Sequence, residues 1–298
     1  MVWILLSATI LFAVTQTAIF TKCSTGFSTN YERLRFVTVT NIAATVVIFI
    51  MTICTGSFNI PSLYTILLGL LFGILTAVTL TTNILALSCG PLSYTVLFTN
   101  CSMIIPTLSG RFFFNEKIYI LQYLGIVLLI IAFYFIFNPQ KNASLNPKWF
   151  FLTLSTFISC GLIGVLQKTH QSSSHKNEFY MFLLICVAFA SIISFIMALT
   201  NHKQNPRNLN KKTYISIIFA VICGIFIGAC NIINLYLSGV MQAAIFFPAL
   251  NGIYIIGSGV VSIIFFKEKM TIKKAVAFIL GIISIVLIGN VIPLSISF

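Results

Sequence analysis

The chain contains no aspartate, only four glutamates and only three histidines in 298 residues. An enzyme that works by paired carboxylates, or by a cluster of His, Asp and Glu near one face, has almost nothing here to build with. Charged residues of both signs make up 7% of the chain, against roughly 25% in a soluble domain. Such a chain could not cover a water-facing surface. Eight cysteines are present, but they stand singly, with no CxxC and no Cys/His grouping, so neither a metal site nor a disulfide framework is expected. They read as small apolar packing residues. His170, His175 and His202 sit in expected polar loops, where solvent is the simplest environment for them.

What is abundant is apolar length. Hydrophobic residues reach 59%, and mean hydropathy is +1.07. About 20 apolar residues cross a bilayer as a helix. Ten such runs can be read, at 2–20, 36–55, 61–81, 92–114, 119–137, 148–167, 179–200, 213–237, 241–266 and 271–291. The start, MVWILLSATILFAV, lacks the basic lead and small-residue cleavage site of a signal peptide and reads as a retained first span. The fold class is therefore an all-α integral membrane protein of ten transmembrane helices. A net charge of +13 would suggest nucleic acid in a soluble protein. Here the basic residues fall between apolar runs without interleaved aromatics, so no nucleic-acid partner is expected. Most of the 17 Lys and Arg follow odd-numbered spans, which by the positive-inside rule puts both termini outside the cytoplasm.

The chain also repeats itself. Lys22 and Glu32 recur as Lys168 and Glu178 at an offset of 146. Asn83, Asn100 and Gly73 recur as Asn234, Asn251 and Gly224 at 151, and Glu116-Lys117 recurs as Glu268-Lys269 at 152. Residues 1–140 and 141–298 thus form two five-helix repeats. Five is odd, so two copies in series cross the membrane in opposite senses, an inverted repeat.

Ten helices, the inverted five-plus-five duplication and an Asn-Glu or Lys-Glu corner after the fourth and ninth spans resemble the drug/metabolite transporter superfamily, EamA-like branch. The resemblance implies a central cavity built by spans 1–4 and 6–9, with spans 5 and 10 peripheral. It also implies alternating access by rocking of the halves. The implied function is secondary transport of a small polar metabolite, neutral or anionic, with multidrug efflux on the same fold as the alternative. The family's distribution implies a bacterial plasma membrane, and a monomer or weak homodimer.

No acid lies at membrane depth, which disfavours a proton-coupled cation exporter. Amides do. Gln16, Asn83, Asn100, Asn231, Asn234 and Asn251 must face another helix or a watery cavity, because an unpartnered buried amide costs on the order of 2–7 kcal/mol. Helix-to-helix hydrogen bonding is the plain alternative. Tyr94, which opens the fourth span after Gly90-Pro91, joins the amides as a cavity candidate, whereas Tyr236 and Tyr254 read as packing or interfacial anchors. Lys22 and Lys168 are gate or helix-end charges, with snorkelling to the interface as the plainer role. Arg111 pairs locally or snorkels. Pro106 and Pro248 should bend their helices. GLLFG at 69–73 and GIFIG at 224–228 are GxxxG patterns expected to bring the third and eighth spans together as a rocking axis. No cofactor or metal is implied.

Overall fold

The computed structural model describes residues 2–90, 92–114, 120–137, 147–201, 211–243, 245–247, 250–251, 254 and 272–288. Among them all regular structure is helical: α1 Val2–Gly26, α2 Asn30–Cys54, α3 Leu63–Cys89, α4 Leu92–Asn100, α5 Ile104–Phe114, α6 Ile120–Phe137, α7 Pro147–Gln171, α8 Phe179–Thr200, α9 Lys211–Val240 and α10 Ile272–Ile288. Five stretches, Asn30–Cys54, Leu63–Cys89, Pro147–Gln171, Lys176–Thr200 and Tyr214–Val240, are long and apolar enough to cross a membrane. Most of the expected ninth span, Pro248 and both Glu-Lys corners lie outside the described residues.

A helix in hydrocarbon has to satisfy its polar groups internally. The many threonines do so by folding back. Thr38, Thr40 and Thr52 donate to the carbonyls of Leu34, Phe36 and Ile48, four residues earlier. Helix α2 opens with a capping box, in which Thr29 Oγ1 accepts from the Glu32 N–H and the Glu32 carboxylate accepts from the Thr29 N–H. Thr29→Ala is expected to cost about 1 kcal/mol, seen as a small fall in Tm in detergent. The fourth span is not one helix. A single 3-10 turn, Cys101–Met103, separates α4 from α5, and Pro106 follows in the first turn of α5. Pro106 has no N–H for the Ser102 carbonyl, which accounts for the break at that point.

Helix directions follow from cross-contacts. Asn41 donates to Ser194 at 2.9 Å and Thr45 bonds Ser191 at 3.0 Å, so α2 and α8 run antiparallel. Thr79 donates to Ser159 and Thr82 bonds Thr156, each at 2.7 Å, so α3 and α7 also run antiparallel. Thr9 lies against Cys230 and Phe12 stacks on Phe226, which makes α1 and α9 antiparallel too. Helices α6 and α10 pack on each other, with Ser284 donating to the Gly125 carbonyl at 2.7 Å.

The glycine pairs do not meet each other. A Cβ on Gly69 or Gly73 would press on Ile185, Cys186 and Phe189 of α8, and one on Gly224 or Gly228 would press on Thr40, Ala43 and Val47 of α2. The expected seam between the third and eighth spans is therefore replaced by two seams, α3 with α8 and α2 with α9, each between parallel helices. GxxxG flattens a helix face so that another backbone can approach, but it does not choose the partner. A cavity stands between α3 and α9 instead.

His170 also departs from expectation. Helix α7 runs on to Gln171 rather than ending near 167. His170 is thereby carried into the packing, 0% exposed, with its ring stacked on Phe182 at 4.0 Å. His175 is likewise not simply solvated, since its ring stacks on Tyr64 and its Nδ1 lies 3.4 Å from Glu178. His202 lies outside the described residues.

Candidate functional site: a neutral polar cavity

The cavity has a volume of about 200 Å³ and is walled by α1, α3, α7, α9 and the short helical segments after α9. Helix α1 contributes Thr9, Ala13 and Gln16, spaced by four and three so that they share a face. Helix α3 contributes Phe72, Thr76, Thr79 and Leu80 in the same way, and α7 adds Ile163. From α9 come Ile227, Cys230, Asn231 and Asn234, and beyond it Leu250 and Tyr254. None of the described lining residues is charged.

Two lining groups are buried without any hydrogen-bond partner among the described residues, Thr76 Oγ1 and Asn234 Oδ1. Leaving such a group unpaired costs about 1–3 kcal/mol. They stand on α3 and α9, the two helices that the cavity separates. The rest of the polar lining is partly tied down. Thr79 donates to Ser159, and the Tyr254 hydroxyl accepts from Thr17 Oγ1 at 2.8 Å.

Of the amides singled out by sequence, Gln16, Asn231 and Asn234 line this cavity, and Asn83, Asn100 and Asn251 do not. Asn100 and Asn251, 151 residues apart, each donate to the carbonyl four residues earlier, of Val96 at 2.7 Å and Phe247 at 2.8 Å. The backbone of Tyr94 is helical, while its side chain lies outside the description. Lys168 is only 7% exposed, and its ammonium donates to the carbonyls of Ser238 and Met241 at the C-terminal end of α9. Lys22 is exposed, as is Arg111. Pro106 packs at Gly164 of α7. Of the acids, Glu32 caps α2 and Glu178 accepts from the N–H and hydroxyl of Ser62, the N-cap of α3. Neither reaches the cavity. All eight cysteines are free.

Tyr254, read from sequence as a packing or interfacial anchor, lines the cavity instead, and Thr9, Thr76 and Thr79 are cavity residues that sequence reasoning passed over. Their signal was a polar stripe at helical spacing, hidden because threonines are common in these helices and most of them serve their own backbone.

Residues 147–290, which hold α7 to α10, match the model of the EamA-like transporter family. That stretch, just under half of the chain, is similar to the EamA-like transporter family. Together with the five long apolar helices, that match marks a multi-pass membrane protein. One solved structure, described as "Crystal structure of protein", superposes with a TM-score of 0.63 at 12% identity, covering 94% of this chain and 97% of its own. At that identity the likeness speaks for a shared fold across both halves. A search of curated proteins gave no sequence match. In a membrane protein whose helices touch lipid over their outer faces, a partly open cavity with a few uncharged polar groups set in mainly apolar walls is suited to holding a small solute.

Proposed function

We propose that the protein is a secondary transporter that moves a small, uncharged, polar organic metabolite by alternating access through this cavity. The observation that carries the reading is the pair of unpartnered groups, Thr76 Oγ1 and Asn234 Oδ1, on opposite walls of a chamber with no charged lining. A carbonyl oxygen left without a donor favours a solute that brings an N–H or O–H. A charged solute would lose its hydration with no opposite charge to replace it.

The two halves, 1–140 and 141–298, act as inverted five-helix repeats. Several observations support this. Thr45 and Ser191 differ by 146 and touch each other, so equivalent positions meet at a pseudo-twofold axis between the antiparallel α2 and α8. The seams obey the same exchange, since α3 on α8 becomes α9 on α2 and α3 on α7 becomes α9 on α1. Trp3 and Trp149, the two tryptophans of the chain, are also 146 apart. Multidrug efflux is the weaker reading, because about 200 Å³ falls below the roughly 300–1,000 Å³ of pockets for drug-sized ligands.

The test is uptake by proteoliposomes of a radiolabelled panel of polyols, primary amides, amino acids and carboxylates. Saturable uptake of an uncharged member is expected. Uptake of carboxylates alone, or of no panel member above empty liposomes, would overturn the proposal.

A further inference from the structure

Lys168 is a charge in an unusual place. The residue is almost fully buried, and its ammonium bridges two carbonyls at the C-terminal end of α9, those of Ser238 at 3.2 Å and of Met241, just past the helix, at 2.9 Å. Those carbonyls carry the negative end of the helix dipole, so the charge is well matched there. The bridge ties the end of α7 to the end of α9. Around it, Gln171 leans on Gly239, and Glu178 holds the start of α3 through Ser62. One end of the bundle is thus pinned shut by polar contacts among α7, α8, α9 and α3.

The opposite end is different. There α3 ends at Cys89, Gly90 lies under the buried Trp149 ring of α7, whose indole N–H donates to Thr95 at 2.8 Å, and Lys22 stands four residues before the end of α1 at Gly26. Lys22 stands 146 before Lys168 and is exposed to solvent. The carbonyls equivalent to those of Ser238 and Met241 lie 151 residues earlier, at Leu87 and Gly90 on the C-terminal end of α3. Both lysines therefore sit at the end of a helix beside the C-terminal end of its neighbour, α7 by α9 and α1 by α3. One is engaged and the other is not.

We infer that Lys168 and Lys22 are reciprocal clamps of the transport cycle. In the conformation described here Lys168 holds the α9 end closed and Lys22 is hydrated. In the opposite-facing conformation Lys22 bridges the carbonyls of Leu87 and Gly90, and Lys168 is released to water. The inference rests on the transporter reading and its inverted repeat. It gives that reading an energetic logic. Opening one end hydrates one ammonium and frees two carbonyls, while closing the other end dehydrates one ammonium and caps two carbonyls. The two changes offset each other, so neither conformation becomes a trap.

The experiment measures distances across each end by double electron–electron resonance on the full chain in nanodiscs, with the other accessible cysteines replaced by serine. Ser172→Cys with Val240→Cys reports the closed end, and Gly26→Cys with native Cys89 reports the other, all at equivalent positions of the repeat. K168A is expected to raise the population with a long Ser172–Val240 distance and a short Gly26–Cys89 distance by about tenfold or more, the scale of a lost charged hydrogen bond. Adding K22A should reverse that shift, and K168R should keep the parent distribution. K168Q, which retains one donor for the α9 carbonyls, should give the same shift at smaller amplitude and serves where alanine disturbs folding. If loss of Lys168 lengthens the first distance without shortening the second, Lys168 is only a helix cap and the inference fails. It fails equally if K22A leaves the K168A distribution unchanged. These distances need no solute, so their failure leaves the uptake result standing, and an uptake panel without any hit leaves the distances to be judged alone.

Discussion

Asn234→Leu is expected to lower solute uptake about 10- to 100-fold, the scale of one lost hydrogen bond to a desolvated solute, without lowering Tm. The two effects separate because Asn234 Oδ1 has no protein partner among the described residues. Its removal leaves no protein group unpaired, and leucine in that position adds apolar area beside Leu250 and Ile227. Thr76→Val, which keeps shape and removes an equally unpartnered hydroxyl, should behave in the same way. Asn100→Leu is the contrast. Asn100 bonds the Val96 carbonyl next to the 3-10 turn and does not line the cavity, so its loss should show first in Tm. Uptake and thermal unfolding measured on the same preparations decide the matter. Normal uptake by Asn234→Leu, or a fall in Tm that matches the fall in uptake, would remove Asn234 from the site.

Gly224→Leu is expected to give little or no folded protein. A Cβ there would meet the Thr40 carbonyl and the Ala43 side chain of α2, so backbone rather than a flexible side chain blocks it. Overpacking of this kind costs about 3 kcal/mol or more, a large part of the 5–15 kcal/mol that holds a domain together. Gly73→Leu should do similar damage, since its Cβ would stand 2.7 Å from the Cys186 carbonyl. Gly281→Ala in α10 is the control. Nothing lies within 4 Å of a Cβ at that position, and alanine in a helix interior gains roughly 0.5–1 kcal/mol over glycine. Gel filtration of the three variants should show Gly281→Ala monodisperse and the other two aggregated. Wild-type behaviour from Gly224→Leu would mean that α2 and α9 are not in close contact.

Apolar length made the helices legible. The bounds of α8 coincide with the run read from sequence, whereas α3 begins within two residues of its run but continues eight residues past it, to Cys89, because a helix can carry on beyond the apolar stretch that crosses the bilayer. The proposed repeat draws on a related signal: rare residues such as Glu32 and Glu178, in a chain so poor in charge, act as markers. What could not be read was which helix faces which. The glycine pairs at 69–73 and 224–228 announce close approach, but either neighbour could supply the backbone. The site was half legible. Amides stand out in an apolar helix, so Gln16, Asn231 and Asn234 were found. Threonines do not, because a threonine that serves its own backbone looks the same in sequence as Thr76, which serves none. His170 was misplaced for a different reason. A polar run of Gln, Lys, Thr and His reads as a loop unless its partners are known, and here Phe182 and the end of α9 supply them.

The hydroxyls of Thr45 and Ser191 have a bearing on how the molecule can move. Each also has a carbonyl of its own helix within reach, that of Asn41 for Thr45 and that of Val187 for Ser191. Either hydroxyl can therefore give its proton inward while receiving the other's, and the pair can trade these parts by two bond rotations, with no shift of either backbone. A pivot of this sort has no preferred polarity. In the proposed alternating-access cycle it would weigh the inward-tilted and outward-tilted molecule alike, and leave the choice between them to the groups at the rims.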